Sequence, residues 1–213
     1  MDGTLFEGRF IYALADKFGV LDKIKNLQDM NLSGYQRTQE ITKLFRGTPA
    51  SELTKTAQAM KFVKNVQTTI TEIKRRGHIV GIISDSYLPV VRYLADRFGL
   101  DFSIANNVEF DADGKMTGVV QMPLGWQEIN CYCKISVCKR FHLENTAKQF
   151  GIPIENTVAV GDTASDSCMV KRAGIGITIM PKDKKIEAVS DVVITEPDIS
   201  RVLPHVFCET QIS

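Results

Sequence analysis

Long apolar runs are missing from this 213-residue sequence. No stretch approaches the roughly 18 apolar residues that a membrane-spanning helix requires. The first residues also lack the basic region and the apolar stretch of a secretory signal peptide. We therefore expect a cytoplasmic protein with no membrane partner.

An excess of charge of one sign is missing as well. The sequence has 26 Lys and Arg residues against 25 Asp and Glu residues, a net charge of +1. Binding to nucleic-acid backbones needs a broad basic surface, so we expect no nucleic-acid partner. With 44% hydrophobic and 24% charged residues, the composition is that of a globular protein. The length predicts one domain with a small appendage.

Cysteine is scarce, and its number is odd. Three of the five cysteines crowd together as Cys131, Cys133 and Cys138. An odd number does not suit the disulfide framework of a small secreted fold, so we interpret them as reduced thiols. A metal site is the alternative, but the cluster lacks the Cys-x2-Cys spacing of zinc sites, and no histidines complete it.

Two nucleotide-binding motifs are also missing. The sequence has no Gly-x4-Gly-Lys-Ser/Thr and no Gly-x-Gly-x-x-Gly after a strand, which excludes a P-loop and a dinucleotide fold. Up to residue 76 the pattern is helical, with Thr48 as the predicted N-cap and Pro49 in the first turn of one helix. Apolar residues at helical spacing follow, until Gly77 ends the run.

After residue 75, short apolar runs alternate with helical segments. Strands are predicted at 79–83, 157–161, 175–179 and 191–194, and helices at 88–98, at 135–150 and ending near residue 174. A hairpin is predicted from strands at 107–110 and 116–121. Strands alternating with helices predict an α/β fold, with a parallel sheet covered on both faces.

Ligands bind outside the carboxyl ends of the strands in such a sheet. The candidate strand ends carry Asp-Gly-Thr at 2–4, Ser-Asp-Ser at 84–86 and Gly-Asp-Thr-Ala-Ser-Asp at 161–166. Small residues let backbone N–H groups approach an anion, and carboxylates hold a hard divalent cation. A phosphate group together with Mg²⁺ satisfies both features.

These motifs, in this order, resemble the haloacid dehalogenase superfamily, in particular its phosphoserine phosphatase-like branch with a small helical cap. The superfamily's motifs are Asp-x-Asp-x-Thr, a Ser or Thr at a strand end, a Lys, and Gly-Asp-x-x-x-Asp. Their counterparts here are Asp2 to Thr4, Ser84, Lys139 and Gly161 to Asp166. The resemblance implies a Rossmann-like core formed by 1–8 and 75–213, with the cap inserted at 9–74.

The resemblance also implies roles at the phosphate. Asp2 matches the general acid that protonates the leaving alcohol and later activates water. Ser84 would bind a phosphoryl oxygen, helped by backbone N–H groups near Gly3 and Asp85, and Lys139 would neutralise the gathered negative charge. The reaction implied is phosphoryl transfer to an aspartate, followed by hydrolysis of the acyl phosphate.

The same resemblance implies a Mg²⁺ site. The backbone carbonyl of Asp2 and the carboxylate of Asp162 would bind the ion, while Asp166 would bind it or orient its waters. The implied partner is a small phosphorylated metabolite.

One departure concerns the nucleophile, which the family places two residues before Asp2, on the residue that would precede Met1. The family also places an apolar strand before that residue, in the middle of the sheet. We therefore expect the native chain to extend upstream and supply both. The alternatives are a non-catalytic relative that binds phosphorylated ligands and a phosphotransferase of the same fold.

A second departure concerns the substrate. Phosphoserine phosphatases grip serine with a Glu and an Arg, but here the Glu position falls on Arg9 and the Arg position falls near Arg37 or Glu40. This exchange favours another small metabolite, with Arg9 binding a carboxylate or second phosphate or simply lying in solvent. The stretch 123–134 adds Trp126 and two of the cysteines, as a flap over the pocket or as a packed surface loop.

Overall fold

The computed structural model describes residues 1–124 and 126–207, without the side chains of Trp126 and Gln127. Helices occupy the chain up to residue 75, as the pattern predicts: α1 (Phe10–Lys17), α2 (Leu21–Asp29), α3 (Gly34–Lys43), α4 (Ala50–Ala59) and α5 (Val66–Arg75). Helix α3 begins with a capping box, in which the Ser33 hydroxyl accepts from the Gln36 N–H and the Gln36 side chain accepts from the Ser33 N–H. In the described part of the chain, no helix is long and apolar enough to cross a membrane.

The predicted start of α4 is wrong by one residue. Pro49, not Thr48, is the N-cap, with an extended backbone at φ −62° and ψ 142°. The Thr48 carbonyl instead accepts from the Met116 N–H at 2.8 Å, and the Ala50 N–H donates to the Gly114 carbonyl at 2.9 Å. These long-range bonds hold the residues before α4 against the hairpin, which no local pattern reveals.

Strands and helices alternate over the rest of the chain. They are β1 (Gly81–Tyr87), α6 (Leu88–Phe98), β2 (Phe102–Phe110), β3 (Met116–Gln121), α7 (Trp126–Ile129), α8 (Lys139–Gln149), β4 (Val158–Gly161), α9 (Ser167–Val170), β5 (Ile175–Ile179), α10 (Lys184–Glu187), β6 (Val192–Ile194) and α11 (Leu203–Val206).

Two predicted boundaries differ from the structure. Strand β1 continues through Ser84 to Tyr87, so the Ser-Asp-Ser motif at 84–86 lies within the strand rather than after it. Helix α8 begins at Lys139, with Cys138 as its N-cap, rather than at residue 135. Residues 135–138 lie outside the helix. Just before them Lys134 has a left-handed backbone, at φ 50°, and buried Ser136 accepts a long-range hydrogen bond from Asn106.

The described strands form two three-stranded sheets, β1-β2-β3 and β4-β5-β6. The β1/β2, β4/β5 and β5/β6 pairs are parallel, and the predicted hairpin supplies the antiparallel β2/β3 pair. Strands β1 and β4 each have one edge without a ladder partner among the described residues. Both contribute to an apolar cleft of about 710 Å³, which is lined by Met1, Leu5, Ile82, Ile83, Ala159 and Val160 among others.

Helices and strands share the main hydrophobic core. It joins buried side chains of the first loop and α1, of α4 and α6, and of β5: Phe6, Phe10, Leu14, Leu53, Val90, Leu94 and Ile177. Burying each large apolar side chain contributes about 1.5–3 kcal/mol. This packing holds the loop that carries Asp2 against the helices that follow it.

Candidate functional site

The predicted motifs meet at one cavity of about 410 Å³, at the carboxyl ends of β1 and β4. Four separate segments of the chain bring the side chains there: Asp2, Ser84, Asp85, Lys139, Asp162 and Asp166. The expectation that ligands bind at strand ends therefore leads to a single concave site.

Backbone hydrogen bonds hold the loop that carries Asp2. The Leu5 N–H donates to the Met1 carbonyl at 2.8 Å, and the Val63 N–H donates to the Leu5 carbonyl at 2.8 Å. The Phe10 N–H donates to Asp2 Oδ1 at 3.1 Å, which aims the carboxyl group. Burial raises the pKa of Asp2 to about 6, because the carboxylate loses water. An acid with this pKa exchanges its proton near neutral pH.

Ser84 lies buried in the last part of β1, where its Oγ accepts from the Ser86 N–H at 3.2 Å. That bond uses an oxygen lone pair and leaves the hydroxyl hydrogen to donate to a ligand. This part of β1 is held by Asn106, whose Nδ2 donates to the Asp85 carbonyl at 2.7 Å and to Ser136 Oγ at 2.8 Å.

Lys139 and Asp166 form a buried ion pair. Lys139 Nζ lies 2.5 Å from Asp166 Oδ1 and 3.6 Å from Asp85 Oδ1. Burial alone would lower the pKa of Lys139, but the Asp166 and Asp85 carboxylates outweigh burial and raise it above its ordinary value. Burial likewise would raise the pKa of Asp166, but the Lys139 ammonium outweighs it, and the pKa is lowered. Both groups are therefore charged at neutral pH.

The second oxygen of Asp166 holds the loop after β4. Asp166 Oδ2 accepts from the N–H groups of Asp162 at 3.2 Å and Thr163 at 3.1 Å. Both carboxylate oxygens of Asp166 are thus engaged within the protein, one by an ammonium and one by backbone amides. Its main effect is to orient Lys139 and the neighbouring Asp162.

Asp162 has the opposite surroundings, although it is equally buried at 6% exposure. Among the residues that the structure describes, none donates a hydrogen bond to its carboxylate. Burial raises the pKa of Asp162 to about 6, and the negative charge of Asp166 adds to the effect. A buried carboxylate without a donor fits a divalent cation that takes oxygen ligands, and the Asp2 oxygens border the same cavity.

Gly3 packs directly against Asp162. Its backbone is left-handed, at φ +68°, and a Cβ atom there would lie 1.9 Å from Asp162 Oδ2. The Gly3 N–H donates to the Gly8 carbonyl at 3.1 Å, so in this structure it stabilises the loop rather than facing the cavity.

We expect Gly3→Ala to displace the Asp162 carboxylate and weaken Mg²⁺ binding, in addition to a backbone cost of about 1–3 kcal/mol. The matched control is Gly19→Ala, because Gly19 has a similar φ of +65° but open space around a Cβ. Calorimetric Mg²⁺ titration and urea unfolding of both variants separate the two effects. Equal Mg²⁺ affinity in the two variants would contradict the clash with Asp162.

The structure places the three predicted cap residues differently. Arg9 lines the cavity, and its positive charge favours the ionised form of Asp162. Arg37 also lines the cavity, but its guanidinium donates to the backbone carbonyls of Leu27, Met30 and Leu32 at 3.0, 3.3 and 3.1 Å. Glu40 is not part of the lining and pairs with Lys43 at 2.6 Å.

Lys182 and Asp183 are among the lining residues that the sequence motifs did not indicate. The Lys182 N–H donates to the Asp162 carbonyl at 2.8 Å, and Asp183 Oδ2 accepts from the Ala164 N–H at 2.7 Å. Both support the loop after β4, and both line the cavity. Both residues follow the carboxyl end of β5, the kind of position at which ligands bind in such sheets, so the sequence carried a signal for them.

Comparison with known proteins decides the family. The profile of haloacid dehalogenase-like hydrolases matches residues 1–171. This chain is a haloacid dehalogenase-like hydrolase. The match confirms the resemblance predicted from the four motifs.

This hydrolase has relatives over nearly its whole length. It is 29% identical to a phosphoserine phosphatase of Methanocaldococcus jannaschii, over 96% of this chain and 94% of that protein. A phosphoserine phosphatase of Streptococcus thermophilus is also 29% identical, over 95% of this chain and 91% of its own length.

Solved structures agree in fold. A phospho-aspartyl intermediate analogue of phosphoserine phosphatase superposes with a TM-score of 0.82 at 28% identity, covering 97% of this chain and 95% of that one. A substrate-bound phosphoserine phosphatase complex has the same TM-score, identity and coverage. The predicted α/β fold of the superfamily is therefore confirmed.

Proposed function

We propose that this hydrolase cleaves phosphate monoesters of small metabolites, with Mg²⁺, through an aspartyl-phosphate intermediate. The observation that carries the proposal is the convergence of Asp2, Ser84, Lys139 and Asp162 on one cavity. Its relatives point the same way, since those at 29% identity are phosphoserine phosphatases.

Ser84 and Lys139 bind the phosphoryl group. The Ser84 hydroxyl donates to a phosphoryl oxygen, and the Lys139 ammonium offsets the charge shared by phosphate and nucleophile. Asp166 holds that ammonium at 2.5 Å, which removes the cost of orienting it during reaction. The N–H of Asp85, next to Ser84 in the last part of β1, is a further donor.

Asp2 acts as general acid and then as general base. Its pKa of about 6 lets a protonated fraction give its proton to the leaving alcohol. The carboxylate that results takes a proton from the water that hydrolyses the acyl phosphate.

Asp2 and Asp162 are the residues that would hold Mg²⁺, with Asp166 orienting Asp162. The ion would supply positive charge against the phosphoryl oxygens. Asp162 is suited to this role because its carboxylate is buried and no described residue donates a hydrogen bond to it.

The nucleophile, in this proposal, belongs to an extended segment that precedes Met1 and lies in the cleft between β1 and β4. The apolar lining of the cleft suits a buried strand. Among the described residues, each bordering strand lacks a ladder partner on one edge, and each unsatisfied buried backbone group costs about 1–3 kcal/mol. An aspartate ending such a strand would lie beside Asp2.

The helices at 9–74 would act as the cap. Helices α1 and α3 supply cavity-lining residues, including Ile11, Thr38 and Ile41. Arg9, beside the acidic site, suits a metabolite with a second anionic group, such as the carboxylate of a phosphoserine-like compound. Closure of the cap would exclude water from the phosphoryl transfer.

The test uses a chain extended upstream from its own gene, so that it carries the segment ending in Asp. We expect phosphate release from monoesters, including phosphoserine, with Mg²⁺ and not with EDTA. Replacing the added Asp by Asn should reduce turnover on the order of 10⁶-fold, as loss of a covalent nucleophile does in other hydrolases.

Each other outcome has a distinct meaning. Equal activity of the Asp and Asn forms would overturn the nucleophile assignment, as would a stop codon upstream with no apolar run ending in Asp. Ligand binding without turnover would identify a non-catalytic relative. Transfer of the phosphate to an added alcohol in preference to water would identify a phosphotransferase.

A further inference from the structure

Four cysteines meet beside the start of α8: Cys131, Cys133, Cys138 and Cys168. Their Sγ atoms all lie within 4.8 Å of one another. Three of them are buried, Cys133 is half-buried, and all four are free thiols. The spacing of the first three lacks a zinc motif, but Cys168, from α9, supplies the fourth sulfur that the sequence pattern does not show.

The distances suit one tetrahedral metal ion. With metal–sulfur bonds of about 2.3 Å, a tetrahedral tetrathiolate has sulfurs about 3.8 Å apart, so the observed cluster needs only small side-chain movements. A four-iron cluster would hold its cysteines farther apart, because each thiolate binds a different iron. Four sulfur ligands also leave no open position, which is typical of a structural site rather than a catalytic one.

Groups able to donate hydrogen bonds lie near all four sulfurs. They are the backbone N–H groups of Ile135 near Cys133, of Phe141 near Cys138 and of Arg140 near Cys168, and the Arg140 side chain near Cys131. Such donors stabilise thiolates, whereas thiols that only fill space as small apolar groups have no need of them.

We propose that Cys131, Cys133, Cys138 and Cys168 bind one Zn²⁺ ion as a structural site. Binding forms four Zn–S bonds and releases the thiol protons to solvent. The net charge of −2 that results lies beside Lys139 and Arg140, two cations that also pair with Asp166 and Glu144.

This ion joins three parts of the molecule: the loop 131–134, the start of α8 and helix α9. Cys138 directly precedes Lys139, and Cys168 lies two residues after Asp166. The four cysteines are therefore positioning residues that hold the two ends of the Lys139–Asp166 ion pair together. In this arrangement the loop 131–134 is a metal-binding loop held against α8 and α9 rather than a flap over the pocket. The side chain of Trp126 is outside the described part of the chain.

The test measures metal content in the full chain and does not depend on activity. We expect mass spectrometry of the dialysed protein to find one zinc per chain. A Co²⁺-substituted protein should show the intense visible bands of a tetrahedral tetrathiolate. Cys133→Ser, at the half-buried position, should weaken Zn²⁺ binding by more than about 100-fold, beyond the ~10–100-fold cost of losing an outer partner.

The matched control is Cys208→Ser, because Cys208 lies outside the described residues and outside the proposed ligand set. It should keep one zinc per chain. Alkylation of the wild-type thiols gives a readout that needs no variant, since zinc should protect four of the five. The proposal is overturned if zinc-reconstituted protein binds no metal, if zinc protects none of the thiols, or if unreduced peptides contain disulfides among these four.

Discussion

Replacing Lys139 by Met is expected to cost this hydrolase about 3–5 kcal/mol of folding free energy, because it leaves the Asp166 carboxylate buried without its partner. In the upstream-extended protein, the same change should lower kcat by about 10²–10³-fold, as loss of one stabilising donor does elsewhere. Methionine nearly matches lysine in length, so the effects report the lost charge rather than a cavity. Urea unfolding and steady-state phosphate release measure the two effects.

The stability loss should depend on pH in a defined direction. Without the ammonium, burial raises the pKa of Asp166, so the folded variant takes up a proton more readily than the unfolded chain. Its deficit against the wild type should therefore shrink as the pH falls and grow as the pH rises. Lys148→Met is the control, because Lys148 is exposed on the same helix. Similar losses in both variants would show that the ion pair contributes nothing.

Asp162→Asn is expected to abolish Mg²⁺ binding while making the metal-free protein more stable. The pKa of Asp162 is raised to about 6, so at pH 7 its charged form destabilises the fold. Removing that charge should return on the order of 2–3 kcal/mol. In the wild type, Mg²⁺ at 100 times its dissociation constant should add about 2.7 kcal/mol, and in the variant it should add nothing. Together, these two results would show that Asp162 is kept for metal binding at the expense of stability.

Unfolding in EDTA and then in Mg²⁺ distinguishes these two effects. Asp113→Asn provides the control, since Asp113 is exposed in the hairpin turn and the change in charge is the same. This control should stay within about 0.5 kcal/mol of the wild type and keep the response to Mg²⁺. If Asp162→Asn still gains stability from Mg²⁺, the assignment of Asp162 as a metal ligand is wrong.

Local patterns were enough to find the polar segments at one side of the cavity. Strand ends are recognisable because apolar runs stop at small or acidic residues, and this led to Ser84 and the loop 161–166. Asp2, with only Met1 before it, was indicated by its Asp-Gly-Thr motif. Lys139 was found only through the family resemblance, since a lysine at the start of a helix has no distinctive local pattern. Helix starts at 48–50 and 135–139 were misplaced because long-range hydrogen bonds set both of them.

What the sequence by itself determined is the order of the elements, their periodicity and the kind of side chain at each strand end. These are properties of neighbouring residues. Only the tertiary structure decided that Asp166 is paired with Lys139 while Asp162, four residues earlier and chemically identical, accepts no hydrogen bond from any residue that the structure describes. The same holds for Cys168 joining three distant thiols and for the cleft between β1 and β4. Each depends on which segments far apart in the chain pack together, and burial, which shifts the pKa values and defines the sites, exists only after they have done so.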